Sequence, residues 1–169
     1  MSTDRQTRRI SEGRKSSRNA IEIAFCGVVA LVTIGGLGLI GEFSGTPLLM
    51  APLGASAVLL IAAPTSPLAR PRNQVGGHMI AAMIGLAAIL LPVEGIWVAG
   101  AAVAVTVMLM MIFGVEHPPA GAVPLVMILG KVEPGFVLGP VLCGTIFLGS
   151  VSQLFYRFRR RRSLCAAEA

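Results

Sequence analysis

Charged side chains are scarce in this sequence and unevenly distributed. Only 13% of the 169 residues are Asp, Glu, Lys or Arg, while 54% are hydrophobic and the mean hydropathy is +0.79. Soluble domains carry about 25% charged residues. Between residues 19 and 156 the only basic residues are Arg70, Arg72 and Lys131. This shortage of charge excludes a soluble globular protein and predicts an integral membrane protein.

Aromatic residues are also few, at 5% of the chain, although the net charge is +6. A surface that binds nucleic acid combines basic residues with aromatic rings on a folded face. Here six of the fourteen basic residues lie within residues 1–20 and five within residues 157–162. Basic clusters that flank apolar spans follow the positive-inside rule. We therefore expect a lipid bilayer and no nucleic acid as partner, an inner-membrane location, and both termini in the cytoplasm.

Metal and redox motifs are absent from the sequence. The cysteines Cys26, Cys143 and Cys165 form no disulfide framework. His78 and His117 are the only histidines, and neither a CxxC nor an HExxH motif accompanies them. The sequence therefore predicts no metal site and no cofactor.

Six apolar segments alternate with short polar connections, and they predict an all-α polytopic membrane bundle. The segments are 21–40, 47–63, 75–91, 96–113, 120–130 and 135–155. The predicted organisation is a basic cytoplasmic tail (1–20), a transmembrane domain (21–156) and a second basic cytoplasmic tail (157–169). Since about 110 apolar residues make only a small bundle, we expect a homo-oligomer.

The charges favour six crossings of the membrane. Six crossings place both basic tails and the Arg70–Arg72 loop on the cytoplasmic side, as the positive-inside rule requires. Five crossings would put the C-terminal arginines outside. Four crossings are compatible with the tails if the second and fifth segments are only re-entrant, but the Arg70–Arg72 loop then falls outside.

The second and fifth segments are short and begin at prolines. The run 120–130 would span roughly 16 Å as a helix, against roughly 30 Å of hydrocarbon. Pro52 lies near the start of one segment, and Pro118 and Pro119 lie at the start of the other, where proline is tolerated. The stretch 52–61 also aligns faintly on 118–127, which suggests two inverted halves of three segments each. The alternative is that prolines and small residues are simply common in membrane helices.

Proline-led helix starts are candidate anion sites, because their first N–H groups have no partner within the helix. Small residues let an ion approach the backbone, and a serine hydroxyl can donate a hydrogen bond. The predicted substrate-binding residues are Pro52, Gly54, Ala55, Ser56, His117, Pro118, Pro119, Ala120 and Gly121. Close helix packing is the alternative role for these small residues.

A second group of residues is predicted to be structural or to couple protons to transport. We expect Glu116 to pair with Arg70 or Arg72, since charges at the edge of a membrane usually pair. His78 and His117 are predicted near the same cytoplasmic face, where a histidine could respond to ordinary pH changes.

Three motifs resemble those of the HPP family of integral membrane proteins, and they occur in the same order along the chain. They are PLGASAV at 52–58, ARPRN at 69–73 followed by GGH at 76–78, and EHPPAGA at 116–122. The resemblance covers residues 45–155 and adds Asn73 to the residues expected to matter. The family is usually described with four spans, and Arg70 stands where many family signatures have Gln.

The resemblance implies transport, because a plant plastid branch of the family is associated with nitrite. The expected function is therefore a transporter or channel for a small inorganic anion, with nitrite as the first candidate. Two alternatives remain open: a membrane scaffold or sensor subunit whose basic tails bind partners or anionic lipid, and a permease for another small solute. An enzyme is not expected, because Ser56 has no base nearby in sequence.

Overall fold

The computed structural model describes residues 20–92 and 95–167, with side chains described as far as Phe158. All regular secondary structure in the described residues is helical, and no strand occurs among them. The predicted N-terminal tail lies almost entirely outside the described residues. The predicted all-α class is confirmed.

Six helical segments follow one another along the described chain. The α-helices are α1 (Ala20–Ser44), α2 (Ala51–Ala62), α3 (Pro71–Ile89), α4 (Ile96–Phe113), α5 (Val123–Leu129) and α6 (Gly144–Ala167). A 3-10 helix (Pro118–Ala122) leads directly into α5, and a 3-10 turn (Pro134–Phe136) and a π-helix (Val137–Cys143) lead into α6. These segments match the six that the apolar pattern predicts.

Three helices are long and apolar enough to cross a membrane: Ala20–Ser44, Ile96–Phe113 and Pro134–Phe158. Two apolar helices are shorter, Ala51–Ala62 and Pro118–Leu129, as the sequence predicts. The remaining helix, α3, has 19 residues and spans about 28 Å, but its first two turns are polar. The number of crossings and the inverted repeat therefore stay predictions.

Proline decides several helix boundaries. Pro71 stands in the first turn of α3, where its missing N–H costs nothing, so this helix begins four residues earlier than the predicted segment at 75. Pro52 likewise occupies the first turn of α2 and begins that helix without interrupting it. Pro140 lies inside the π-helix, because proline cannot donate to the regular ladder. At the other end, the backbone of α6 stays helical to Ala167, beyond the predicted end at 155.

Helix α3 is central to the bundle, because it packs against α4, α5, α6 and the 3-10 helix Pro118–Ala122. Its buried face is built largely from small residues, namely Gly77, Ala81, Ala82, Gly85 and Ala88. A side chain at Gly85 would come within 3.2 Å of the Pro124 backbone. This face therefore lets α5 lie close to α3, as small residues do in membrane bundles.

Gly77 of α3 holds the extended stretch before Pro118 in place. A Cβ atom at this position would lie 2.9 Å from the Cβ of His117 and 3.1 Å from the carbonyl oxygen of Val115. Since the second atom belongs to the backbone, the clash cannot be relieved by a side-chain rotation alone. The absence of a side chain at residue 77 is what allows the His117 segment to cross α3.

We predict that Gly77→Ala lowers the free energy of unfolding, by about 1–3 kcal/mol for overpacking of a close contact. Gly54→Ala is the matched control, because a Cβ at Gly54 would meet no atom within 4 Å. The control should be neutral or slightly stabilising, since alanine favours helix over glycine by about 1 kcal/mol. Unfolding in mixed micelles with a rising fraction of denaturing detergent measures both. Equal stability of the two variants would contradict the packing argument.

Candidate functional site

The imidazole of His117 joins three segments that are far apart in the sequence. Its Nε2 lies 2.9 Å from the hydroxyl oxygen of Ser56 in α2, and its Nδ1 lies 2.9 Å from the carbonyl oxygen of Leu68 in the loop before α3. Ser56 and His117 are both 0% exposed. One buried ring therefore connects α2, the 64–70 loop and the 3-10 helix Pro118–Ala122.

Local sequence explains how each partner reaches this point. His117 precedes Pro118, which disfavours the helical conformation, and its backbone is extended at φ −137° and ψ 94°. The extended residue turns its ring into the bundle just before the chain becomes helical. Ser56 lies one turn after Pro52 on the buried side of α2, where Leu53 and Ala57 are also buried. Both residues thus depend on a proline that begins a helix.

The hydrogen bonds determine the tautomer of His117. A carbonyl oxygen can only accept, so Nδ1 carries the proton and donates to Leu68. In the neutral ring Nε2 then accepts from the Ser56 hydroxyl. If the ring becomes protonated, Nε2–H donates to the Ser56 oxygen, and the hydroxyl proton turns to the Pro52 carbonyl oxygen 2.9 Å away. The site can take up a proton without leaving any of these atoms unpaired.

His117 lies in the connection between α4 and the 3-10 helix, and its surroundings bear on its charge. Burial lowers the pKa of His117 from its usual value of 6.5, because the protonated ring loses hydration, while the hydrogen bond to the Leu68 carbonyl acts in the opposite direction. The lowering prevails, so the ring is neutral at pH 7 and gains its proton only in more acidic solution.

A second buried imidazole stands next to the first. The ring of His78 lies 5.1 Å from that of His117, centroid to centroid, and its Nδ1 donates to the Gln74 carbonyl oxygen at 2.9 Å. Its Nε2 is buried and has no hydrogen-bond partner among the described residues. No third His, Cys, Asp or Glu joins the pair within the described part of the chain. The cluster is therefore a pair of imidazole rings without a third potential metal ligand in the described residues.

The loops around the site are held by carbonyl groups rather than by the predicted ion pair. Asn73 donates from Nδ2 to the backbone carbonyl of Glu116 at 3.0 Å, and Arg72 donates to the carbonyl of Phe113 at 3.1 Å. The Glu116 carboxylate forms no ion pair with Arg70 or Arg72, so this expectation is wrong. The carbonyl oxygens at the C-terminal end of α4 have no partner within the helix and carry partial negative charge, so they can accept a hydrogen bond from the arginine.

Comparison with known proteins places this arrangement in a family. The family model "HPP, transmembrane region" matches residues 15–164. The chain belongs to the HPP family. This confirms the resemblance carried by the three motifs and makes the protein an integral membrane protein.

Two transmembrane proteins of Dictyostelium discoideum are similar to this HPP family member. One is 33% identical over 123 residues, which cover 68% of this chain and 43% of the relative. The other is 31% identical over 125 residues, which cover 69% of this chain and 40% of the relative. The chain thus spans less than half the length of these relatives. No solved structure matches the chain significantly.

The HPP motifs converge in space, but not every predicted site residue takes part. Ser56, Asn73, His78, His117 and Ala120 are all buried around the junction. Pro52 contributes its carbonyl oxygen to Ser56. Ala55, Pro118, Arg70 and Arg72 are exposed, and Gly54, Pro119, Gly121 and Glu116 are half-buried.

Several of the N–H groups at the two helix starts, which were predicted to be free to bind an anion, already donate to backbone carbonyls. The amides of Leu53 and Gly54 donate to the Met50 carbonyl, and the amide of Ala120 donates to the His117 carbonyl. The alternative of close packing does not apply either, because a Cβ at Gly54 or Gly121 would meet no atom within 4 Å. The hydrogen bonds at this junction are made by buried side chains of the HPP motifs rather than by the amides at their helix starts.

Sequence reasoning missed two members of the polar cluster, Gln74 and Thr145. The Gln74 amide donates from Nε2 to the Thr145 carbonyl at 3.1 Å and so joins α3 to α6. For Thr145 the signal was present in the sequence, since it is a polar residue within an otherwise apolar segment, whereas Gln74 lies among the polar residues that begin α3. Ser56 also gains a base, His117, that its sequence neighbourhood does not show. Both side chains are 0% exposed in this structure.

We predict that Ser56→Ala destabilises the protein, because it leaves the buried Nε2 of His117 without a donor. An unsatisfied buried polar atom costs about 1–3 kcal/mol. Ser44→Ala is the matched control, since the Ser44 hydroxyl bonds to the Gly41 carbonyl of its own helix at an exposed position. Detergent-induced unfolding measures both variants. If Ser56→Ala lowers the free energy of unfolding no more than the control does, the junction does not stabilise the fold.

Proposed function

We propose that this HPP family protein is a transporter or channel for a small inorganic anion, with nitrite as the first candidate. The observation that supports it is the cluster of hydrogen-bonding side chains inside a bundle of apolar helices. Polar groups buried inside a membrane protein are energetically costly and commonly line the path of a substrate. Here they come from four separate elements, which is more than the packing of one helix pair needs.

The buried polar side chains have a composition that suits an anion in transit. In the part of the chain that the structure describes they are Thr33, Ser56, Asn73, Gln74, His78, Thr106, His117, Thr145 and Ser152. None is a carboxylate, which would repel an anion, and none is Lys or Arg, which would hold it tightly. A permeating ion must bind well enough to enter and weakly enough to leave. Neutral donors satisfy both conditions.

Nitrite is preferred because the family resemblance includes a plastid branch associated with that ion. The size of the anion, and whether it moves alone or with a proton, are further parts of the proposal. The junction at His117 supports proton involvement, since it stays fully hydrogen-bonded in both charge states.

The direct test is flux in proteoliposomes that contain the purified protein. Nitrite should enter faster than into protein-free vesicles, and formate, nitrate and chloride define the range of anions. A scaffold or sensor subunit predicts no flux of any solute, and a permease of another class predicts flux of a neutral solute but not of nitrite. Either result would overturn the proposal.

A change at His117 should alter the pH dependence of this flux. Because burial lowers the pKa of His117, its protonated form appears only below the usual value of 6.5. We therefore predict that uptake rises as the pH falls below about 6.5, and that His117→Ala lowers uptake and removes this rise.

The Ser56→Ala variant serves as the control for general loosening of the site. It should lower the amount of folded protein but keep a pH-dependent component, since the ring is still present. Uptake is normalised to folded protein in each case. If the pH dependence of uptake is unchanged in His117→Ala, the proton role of His117 is contradicted, while the proposal of anion transport is unaffected.

A further inference from the structure

A groove lies between α3 and α6, with polar side chains set in a largely apolar lining. Its volume is about 370 Å³, and its lining includes Gln74, Thr145, Gly149, Ser150, Gln153 and Arg157. Ser150, Gln153 and Arg157 are three and four residues apart, so they lie on one face of α6. An apolar membrane helix seldom carries such a row without a ligand or cavity beside it.

The floor of the groove contains two polar atoms that lack partners. Gln74 and Thr145 are each 1% exposed, and neither the Gln74 Oε1 nor the Thr145 Oγ1 has a hydrogen-bond partner among the described residues. The Gln74 amide cannot be flipped without loss, because its Nε2 donates to the Thr145 carbonyl. The floor therefore presents one unused acceptor, the amide oxygen, and one unused donor, the Thr145 hydroxyl.

Gly149 makes room for this arrangement. A Cβ atom at Gly149 would lie 2.9 Å from Gln74 Oε1. Gln74 also links the groove to the histidines, since its backbone carbonyl accepts the hydrogen bond from His78. Gln74 is therefore the residue that both lines the groove and contacts the histidine pair.

We infer that this groove binds a small oxyanion together with a hydrating water, and that it is the access route to the buried polar cluster. The inference rests on the proposed transport function. Arg157 attracts the anion at the exposed end, and the Thr145 hydroxyl donates to it at the floor. The accompanying water donates to Gln74 Oε1, which no bare anion could satisfy.

The depth of the groove favours a free anion over a lipid phosphate. Thr145 and Arg157 are twelve residues apart on one helix, which corresponds to about 18 Å along its axis. A phosphate headgroup at the membrane surface could reach Arg157 but not Thr145. Both ligands share the chemistry of a small oxyanion, so the experiment has to separate them.

The experiment uses Ser150→Cys in a chain whose own cysteines are replaced. Ser150 is exposed within the groove, and its hydroxyl bonds only to the Ile146 carbonyl of its own helix, so the change is mild. A negatively charged, membrane-impermeant methanethiosulfonate reagent probes the new thiol in proteoliposomes. Ser44→Cys, exposed and outside the groove, is the control.

The thiol at position 150 should react, and nitrite should slow the reaction. At nitrite ten times its dissociation constant only about one site in eleven is empty, so the rate falls about tenfold. The control should show no nitrite effect. A thiol that does not react, or one that nitrite does not protect, would overturn the inference, since the groove is then dry, covered by lipid or a second copy, or empty of anion.

Two further arms keep this result separate from the proposed function. Vesicles of phosphatidylcholine alone are compared with vesicles containing phosphatidylglycerol, and protection that needs the anionic lipid and not nitrite would assign the groove to a headgroup and overturn the inference. Gln153→Leu should raise the nitrite concentration at half-maximal flux. If the nitrite dependence of flux is unchanged in Gln153→Leu, anion binding in the groove is contradicted, while the transport proposal is unaffected. If nitrite protects the thiol at position 150 but no flux is detected, the groove binds the anion and the transport proposal is contradicted.

Discussion

The fold depends on the burial of one imidazole ring that must have both nitrogens satisfied. His117 has no access to water, so an unpaired nitrogen would cost about 1–3 kcal/mol. Ser56 and the Leu68 carbonyl meet this demand, and Gly77 leaves the space in which the ring's backbone lies. Because these partners come from α2, the 64–70 loop and α3, the demand of one side chain sets the relative positions of three elements.

The same constraint shapes the polar interior. A short helix in a membrane protein leaves irregular backbone at its ends, and this is tolerated only inside protein or beside a cavity. The segments before Pro118 and after α2 are of this kind, and they meet at Leu68 and His117, next to the first turns of α3. Their hydrogen-bonding needs bring neutral polar side chains together where the helices are otherwise apolar. An interior of this composition is suited to a weakly held anion, and the groove between α3 and α6 gives it an approach from one side.

Much of this could be predicted from the sequence, and the failures have physical causes. Apolar length and proline position predicted six helical segments and the short second and fifth ones, since both act locally. The junction of Ser56 with His117 spans 61 residues and depends on tertiary packing, which no local pattern encodes. Glu116 was expected to pair with arginine, but Arg72 found the carbonyl at the end of α4 instead. Thr145 was missed because a single polar residue in an apolar run has no periodicity, and Gln74 was missed because it lies in a polar stretch that reads as a loop.

The hydrogen-bonding state of the two imidazoles tests this account most directly. The chain contains only two histidines, so protein labelled with ¹⁵N-histidine and reconstituted in lipid gives a spectrum in which each ring can be assigned with the Ser56→Ala variant. The account predicts that at pH 7 both rings are neutral and carry the proton on Nδ1, and that Ser56→Ala shifts the Nε2 signal of one ring only. The junction on which the structure depends would be contradicted if the His117 ring carries its proton on Nε2 alone. It would also be contradicted if the His117 signals do not shift in Ser56→Ala.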